Sequence, residues 1–479
     1  MTFWKSPRKL IELHNCVKAL RYTAHKQLSA PHELDNPIAV LAPPASAGSV
    51  NLSHHPKYRP DIDGLRAIAV LAVVLFHAFP ALIPGGFIGV DIFFVISGFL
   101  ITSIIARELE HGKFTFARFY ARRIKRIFPA LLLVMAACLA FAWFALFPDE
   151  LKQLGLHLAG GAGFVSNLVL WQEVGYFDRG ADTKPLLHLW SLAIEEQFYI
   201  VWPVVLLLAS RLRLNLLLVS AGLALLSFAV NVGGIAAFPS ATFYSPASRA
   251  WELLLGAVLA CSLLRTQPVV LFARAAAAVS PNLRSAAGAL LLAIGFAIIS
   301  REHQFPGWYA LLPTVGALLM IGAGPQSWFN RFVLSNRLLV WFGLISYPLY
   351  LWHWPLLAFA HIVESGTPAP QLRAALVALA IALSTGTRTP CALPRAEVDK
   401  QTPQNEAHVA SLLRDFPGVK RFRTRQLMCD DKLCWAMKDG NLLYRDNNHL
   451  SYEGDLYIGE KFAEWHASRG AKQGGNRPD

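Results

Sequence analysis

Three ionisable residues lie in or beside the first long apolar stretches of the chain: Arg66, His77 and Asp91. Such groups are costly in hydrocarbon and usually face a protein interior or an aqueous cavity. Arg66 and His77 are eleven positions apart, about three helical turns, so they lie on one helix face roughly 16 Å from each other. This spacing predicts a polar seam with a cation near one membrane surface and a proton-transfer group deep inside.

Each of these residues also has a structural interpretation. Arg66 alone is typical of an interfacial anchor. Asp91 falls in the first turn of the second predicted helix, where the helix dipole favours a carboxylate. His77 is compatible with a hydrogen-bonded structural histidine.

A second polar seam is predicted in the segment LLHLWSLAIEEQFY. His188, Ser191, Glu195 and Tyr199 follow helical spacing and share one face, whereas Glu196 points elsewhere. A histidine and a carboxylate stacked in a membrane helix are costly to keep for packing alone. We therefore expect a functional role for this face.

A basic patch lies between the second and third apolar segments. Arg123 and Arg126 are three apart and share a helix face, with Arg122 and Lys125 beside them. Guanidinium groups bind phosphate oxygens bidentately, which favours an anionic cytosolic ligand. The alternative is a patch that only sets topology and contacts lipid headgroups.

Two further motifs favour structural roles. Arg249 and Glu252 are spaced to pair within one helix. In SYPLYLWHWP, residues Tyr347, Tyr350 and His353 suggest an interfacial aromatic belt.

The composition predicts a polytopic helical membrane protein. Of 479 residues, 54% are hydrophobic and 16% are charged, and the apolar residues form about eleven long segments. The basic run between the second and third segments puts that loop, and hence the N-terminus, in the cytoplasm. The later basic clusters are cytoplasmic as well if Gly-rich segment 155–171 is re-entrant, which leaves about ten spans. The net charge of +13 then belongs to loops, and no nucleic-acid partner is expected. The predicted domains are a cytoplasmic tail (1–57), a transmembrane domain (58–385) and a polar α/β segment (386–479).

The six cysteines do not indicate a disulfide framework for the fold. Cys429 and Cys434 can form a local disulfide if they face an oxidising compartment. No second pair is spaced for zinc, and no metal site is predicted.

Six ordered motifs carry a resemblance to a known family. They are YRPDIDGLRAIAVLAVVLFH, GGFIGVDIFFVISGFLIT, FYARRIKRIFPA, LHLWSLAIEEQFY, SRAWELLLGAVLA and SYPLYLWHWPLL. Over residues 58–384 the chain resembles the membrane-bound acyltransferase-3 family, which O-acetylates bacterial surface glycans such as lipopolysaccharide O-antigen.

The resemblance implies functional roles for specific residues. His77, Arg66 and Glu195 would be catalytic, and Arg123 and Arg126 would bind the donor. The implied donor is acyl-coenzyme A, most simply acetyl-coenzyme A, and no permanently bound cofactor is expected. The acceptor would be a cell-surface glycan or its lipid-linked precursor. The implied location is the bacterial inner membrane, among membrane lipid.

The C-terminal segment resembles the end of an SGNH hydrolase-like domain. Asp446 and His449 match its Asp-x-x-His pair, but no Gly-Asp-Ser block occurs in the chain, so the nucleophile is missing. The usual Glu-x-Pro-x-Arg ending of the last core helix is also absent. The extra helix that normally carries the chain outward is missing as well. A deletion near 384–387 would account for all three absences.

The rival function is a transporter or flippase, because buried charges also mark translocation paths. Such proteins often contain two halves of similar hydropathy, and this sequence shows none. A free-standing esterase is not favoured, because the serine is missing.

We predict that residues 386–479 are catalytically inactive, loosely folded and cytoplasmic, with Cys429 and Cys434 reduced. About ninety residues of a halved α/β domain bury too little surface to offset chain entropy. The test is to express this segment alone and to follow its thermal unfolding and its hydrolysis of a chromogenic acetate. A cooperative transition with turnover that His449→Ala abolishes would contradict the prediction.

Overall fold

The protein is described by a computed structural model that covers residues 59–173, 180–263, 279–386 and parts of 392–473. It divides into two compact units with a boundary between Arg388 and Thr389. The unit that ends at Arg388 is helical, whereas the C-terminal unit contains short strands and helices.

The helical unit contains fourteen described α-helices. In chain order they are α1 (Pro60–Ala78), α2 (Gly89–Glu110), α3 (Phe116–Ala145), α4 (Pro148–Ala162), α5 (Ser166–Glu173), α6 (Leu189–Arg211), α7 (Leu216–Gly234), α8 (Pro239–Tyr244), α9 (Pro246–Leu263), α10 (Pro281–Ile298), α11 (Leu311–Ala323), α12 (Arg337–Leu344), α13 (Ser346–Val363) and α14 (Pro370–Gly386). Short 3₁₀ turns precede α2, α6 and α11, and one π-helical turn, Asn330–Leu334, precedes α12.

Several helices are long and apolar enough to cross a membrane, so the chain is a multi-pass membrane protein. Five described helices meet both criteria: α2 with its preceding turn, α3, α6, α7 and α10. The predicted total of about ten spans also counts helices that are shorter or that carry charged residues, such as α1. Large apolar side chains on the outer face of α3, among them Phe141 and Phe144, are exposed. Such a surface is suited to contact with lipid rather than with water.

The Gly-rich segment does not form one continuous span. Helices α4 and α5 are 15 and 8 residues long, and a turn at Gly163 and Phe164 separates them. At 1.5 Å per residue each is shorter than the roughly 30 Å hydrocarbon core. Neither helix alone could cross the membrane, and the re-entrant character of 155–171 stays a prediction.

Helix α2 is the centre of the bundle. It packs against α1, α6, α9 and α11, and most of its length is buried. Its closest neighbour is α9, because Gly98 faces the backbone of Leu253 and Gly256 faces the backbone of Val95. Small residues at such positions let two helix backbones approach closely in a membrane.

Polar groups also join the start of α1 to the π-helical turn. Asp61 is buried and accepts bonds from the Arg59 guanidinium, at 2.7 and 2.8 Å, and from the Asn330 amide, at 3.1 Å. Asn330 also donates to the carbonyl of Met320 at 2.8 Å. These bonds fix where α1 enters the bundle.

The C-terminal unit contains two small antiparallel pairs. Strand β1 (Ala392–Pro394) pairs with β2 (Leu433–Trp435), and β3 (Met437–Lys438) pairs with β4 (Asn441–Leu442). Two helices accompany them, α15 (Arg425–Met428) and α16 (Tyr452–Gln473). Asp446 and His449 lie outside the described residues.

The prediction of reduced cysteines in this unit is wrong. Cys429 and Cys434 are joined by a disulfide. They face each other across an antiparallel bridge with their Cα atoms 3.9 Å apart, which brings the two thiols into bonding range.

We expect Gly98→Ala to destabilise the helical unit. A Cβ at this position would collide with the Leu253 backbone, which no rotamer change can relieve. Overpacking of this kind typically costs about 1–3 kcal/mol. Thermal unfolding of the detergent-solubilised protein should therefore shift to lower temperature.

The matched control is Gly222→Ala. Gly222 is also a helical glycine, but nothing lies within 4 Å of its Cβ position. This change should be neutral or slightly stabilising, because alanine has the higher helix propensity. Equal loss of stability in both variants would contradict the close helix contact.

Candidate active site

A cavity of about 350 Å³ opens at the end of α1 that carries His77. Polar side chains from helices distant in sequence converge on it together with several aromatic rings. Its polar lining consists of His77, Asp91, His188, Tyr244, Arg249, Ser300, Arg301, His303 and Tyr350. This combination of an apolar wall and a few convergent polar groups is typical of a ligand site.

His77 is hydrogen-bonded to a second histidine. Its Nδ1 lies 3.0 Å from Nε2 of His353, a buried residue on α13. Nδ1 of His353 lies 2.7 Å from the carbonyl oxygen of Tyr350, which can only accept. His353 therefore carries its proton on Nδ1, and its bare Nε2 accepts the proton of His77 Nδ1.

This chain of hydrogen bonds leaves Nε2 of the neutral His77 ring unprotonated. No described residue makes a hydrogen bond to that nitrogen, and the half-buried ring lines the cavity. A histidine whose other nitrogen is held by a fixed acceptor is a general base with its tautomer already set.

Neighbouring rings fix the orientation of the pair. The Trp354 ring lies 4.4 Å from the His77 ring, and its Nε1–H donates to the Lys184 carbonyl at 2.9 Å. The Tyr350 hydroxyl donates to the His188 carbonyl at 2.8 Å and lies 2.7 Å from the Ser191 hydroxyl. The walls around His77 are therefore held by directional bonds as well as by packing.

Lys184 is held in turn by Glu173 at the end of α5. Lys184 Nζ and His157 Nε2 donate to the Glu173 carboxylate at 2.9 and 2.8 Å. Burial raises the pKa of Glu173, but the bonds from Lys184 and His157 outweigh that effect and hold it below its usual value. This small network anchors the carbonyl to which Trp354 donates.

Arg249 also lines the cavity and contacts two carboxylates. Its guanidinium is 3.0 Å from Asp91 and 3.3 Å from Glu252. Four aromatic rings, Phe94, Trp190, Phe243 and Phe305, surround it at 5.5–5.6 Å. The predicted pairing within α9 is present, and Asp91 is a second partner.

The remaining predicted site residues gather at the other end of α1. Glu195 accepts hydrogen bonds from Ser97, at 3.0 Å, and Tyr199, at 3.4 Å, and it interacts electrostatically with Arg66 and Arg123. Arg66 pairs with Asp63 at 3.1 Å. We call Arg66, Arg123, Arg126 and Glu195 the arginine cluster.

Two cations of this cluster have no carboxylate within ion-pair distance in the described chain. Arg123 lies over the Tyr199 ring at 5.5 Å, and Arg126 is exposed and near Arg66. Arg122, by contrast, pairs with Glu108 at 2.7 Å. Arg123 and Arg126 therefore remain open to an anionic ligand, as does the exposed Lys125 beside them.

The structure thus separates the predicted residues into two sites. Because α1 is continuous, Arg66 lies about 16 Å along the helix from His77. The polar face predicted along this segment is divided as well. His188 lines the cavity and Ser191 contacts Tyr350 in its wall, whereas Glu195 and Tyr199 lie near the arginines.

The assignment of Tyr347, Tyr350 and His353 to an interfacial belt is wrong. His353 is buried against His77, Tyr350 donates within the cavity wall, and Tyr347 donates to the Ile127 carbonyl at 3.0 Å. The sequence did contain a signal for His353, a histidine within an apolar aromatic run. Burying such an ionisable side chain in the membrane costs free energy, as it does for His77.

A family model described as an acyltransferase domain matches residues 59–388, more than half of the chain. The chain belongs to the acyltransferase-3 family. A second model, described as an SGNH domain fused to such acyltransferase domains, matches residues 361–464. Both resemblances predicted from the motifs are therefore confirmed.

The chain is also similar in sequence to several curated O-acetyltransferases. The chain is 36% identical over 315 residues to the peptidoglycan O-acetyltransferase OatA of Listeria monocytogenes, covering 63% of this chain and 50% of that protein. It is 35% identical to the putative peptidoglycan O-acetyltransferase YrhL of Bacillus subtilis, covering 66% and 51%. It is 34% identical to the O-acetyltransferase OatA of Staphylococcus aureus, covering 64% and 52%.

The chain therefore spans about half the length of these relatives. No solved structure matches it. Within the described residues, no group of three or more metal-ligating side chains is arranged to hold an ion.

Proposed function

We propose that this protein is a membrane O-acyltransferase that moves an acyl group, most simply acetyl, from acyl-coenzyme A to a hydroxyl of a cell-surface glycan. The observation that carries the proposal is the His77–His353 pair, which presents an unprotonated Nε2 to a cavity at one end of α1. Membership of the acyltransferase-3 family and the names of the relatives support the same reaction.

In the proposed step, the acceptor hydroxyl attacks the carbonyl carbon of the thioester. Nε2 of His77 takes the hydroxyl proton as the C–O bond forms. The tetrahedral intermediate then collapses, the C–S bond breaks, and the departing thiolate takes the proton back from His77. The products are an O-acyl ester and free coenzyme A, and no external oxidant or reductant is needed.

The donor would bind at the arginine cluster. The guanidinium groups of Arg123 and Arg126 have no carboxylate partner among the described residues. Each can donate two parallel N–H bonds to a phosphate group. Coenzyme A carries its thioester at the end of a long flexible arm. An arm that follows α1 for about 16 Å would bring the thioester from the arginines to His77.

The names of the relatives favour peptidoglycan as the acceptor over the lipopolysaccharide O-antigen that the motifs suggested. In the proposed orientation the N-terminus is cytoplasmic, the arginine cluster faces the cytoplasm, and the His77 cavity faces outward across the bacterial inner membrane. The transporter alternative is less favoured, because a proton acceptor fixed by a second histidine serves bond formation rather than passage.

We expect His77→Ala to abolish acyl transfer and His353→Phe to lower kcat by about a hundredfold, within the range of a lost general base. Phenylalanine cannot accept the Nδ1 proton of His77, so the ring can adopt the other tautomer. His353→Gln retains an acceptor oxygen and should recover part of the rate. The measurement is release of coenzyme A by the purified protein in nanodiscs with glycan acceptors.

The matched control is His361→Gln. His361 is another histidine of α13, and its Nδ1 is also near a carbonyl of its own helix, that of Leu357, at 3.1 Å. This variant should keep the wild-type rate. Equal losses in His353→Gln and His353→Phe, or a wild-type rate in His77→Ala, would contradict the proposed base.

We further expect the double change Arg123→Gln and Arg126→Gln to raise the donor KM at least tenfold, because two charge-assisted contacts to phosphate are lost. The acceptor KM should change much less, and the donor affinity of the wild type should fall with salt. Arg122→Gln is the control, since Arg122 already pairs with Glu108. Unchanged donor affinity in the double variant would assign the patch to topology alone.

A further inference from the structure

One of the charged residues that line the His77 cavity has no ion-pair partner in the described chain. Arg249 is paired with Asp91, and Glu252 is also within 3.3 Å of its guanidinium. Arg301 is the remaining charged lining residue, and no carboxylate of the described chain lies within ion-pair distance of it. The other titratable lining residues are His77, His188 and His303.

The position of Arg301 is defined although its charge is unpaired. It lies three residues after the end of α10, and its guanidinium lies over the Phe76 ring at 4.8 Å. Phe76 is the residue before His77, and the two rings are 5.3 Å apart. The exposed Arg301 is therefore separated from the proposed base, His77, by the ring of Phe76.

His303 supplies a second donor at the same edge. The backbone N–H of Ser300 donates to Nδ1 of His303 at 3.1 Å, so this nitrogen is unprotonated. In the neutral ring, Nε2 then carries the hydrogen. The His303 ring packs against Tyr309 at 4.5 Å, which restricts its rotation.

In the proposed orientation this edge faces outward, where arginine is not needed to set topology. The positive-inside bias concentrates Lys and Arg in cytoplasmic loops. An outward arginine at the mouth of a cavity, held on an aromatic face and without a carboxylate, is suited to an anionic ligand.

We propose that Arg301, assisted by His303, binds an anionic group of the acceptor glycan, a carboxylate or a phosphate close to the hydroxyl that is acylated. The inference rests on the proposed function for the identity of the acceptor, but the anion site is defined by the cavity itself. A guanidinium binds either anion through two parallel N–H donors. Neutral glycans would lack this contact and bind more weakly.

The experiment measures binding rather than turnover, using the full chain in nanodiscs of zwitterionic lipid. Three oligosaccharides of equal length serve as probes: one with a sugar carboxylate, the same one with that carboxyl reduced to an alcohol, and one with a phosphate. The variants are Arg301→Gln and Arg301→Lys. The matched control is Arg331→Gln, since Arg331 also lies on a phenylalanine ring, that of Phe332 at 5.2 Å, but outside the cavity.

We expect the wild type to bind at least one anionic probe about tenfold more tightly than the neutral probe. Arg301→Gln should remove that difference and leave neutral binding unchanged, Arg301→Lys should restore part of it, and Arg331→Gln should retain it. Preference for the carboxylate or the phosphate probe identifies the source of the anion.

Three results would overturn the inference: equal wild-type affinity for all probes, no measurable binding of any of them, or equal losses in Arg301→Gln and Arg331→Gln. Anion-selective binding without acyl transfer in the coenzyme A release assay would instead refute the proposed function and leave the anion site standing.

Discussion

The cost of placing charge in hydrocarbon governs the arrangement of this protein. Every ionisable group inside the bundle needs compensation from other groups, because water is not available there. Asp91, Arg249 and Glu252 meet this need with each other and with a cage of aromatic rings. Asp61 meets it through Arg59 and Asn330. These contacts tie α1, α2 and α9 to distant parts of the chain, so electrostatic compensation also specifies which helices are neighbours.

The ionisable groups that have no ion-pair partner indicate where ligands could bind. Among the described residues, Arg123 and Arg126 have no carboxylate partner at one end of α1, and Arg301 has none at the other. His77 lies near the second of these ends, and within the described residues its one hydrogen-bond partner is the ring of His353. The unpaired arginines thus lie at the two ends of α1, where the proposed donor and the proposed acceptor would arrive from opposite sides of the membrane. A compensated bundle with open cations at both ends is suited to group transfer across the membrane.

Sequence reasoning could predict features that depend on local spacing. The shared face of Arg66 and His77 and the pairing of Arg249 with Glu252 both follow from periodicity over a few turns. It could not predict that His353 approaches His77, because 276 positions separate them and no pattern within one helix encodes the contact. The same limit applies to Asp91 and Arg249, 158 positions apart. The ordered motifs predicted the family because they contain the residues of several helices together.

Helix α6 has a consequence for how variants of this protein are interpreted. Ser191, which contacts Tyr350 in the cavity wall, and Glu195, which belongs to the arginine cluster, are only about one helical turn apart. A displacement of this helix at one end is therefore transmitted to the other within a single rigid rod. In the proposed reaction, the kinetic constants for donor and acceptor would therefore not vary independently when α6 is altered. Assigning a residue on α6 to one substrate requires a thermodynamic cycle with both ligands, because either KM alone reports the position of the whole helix.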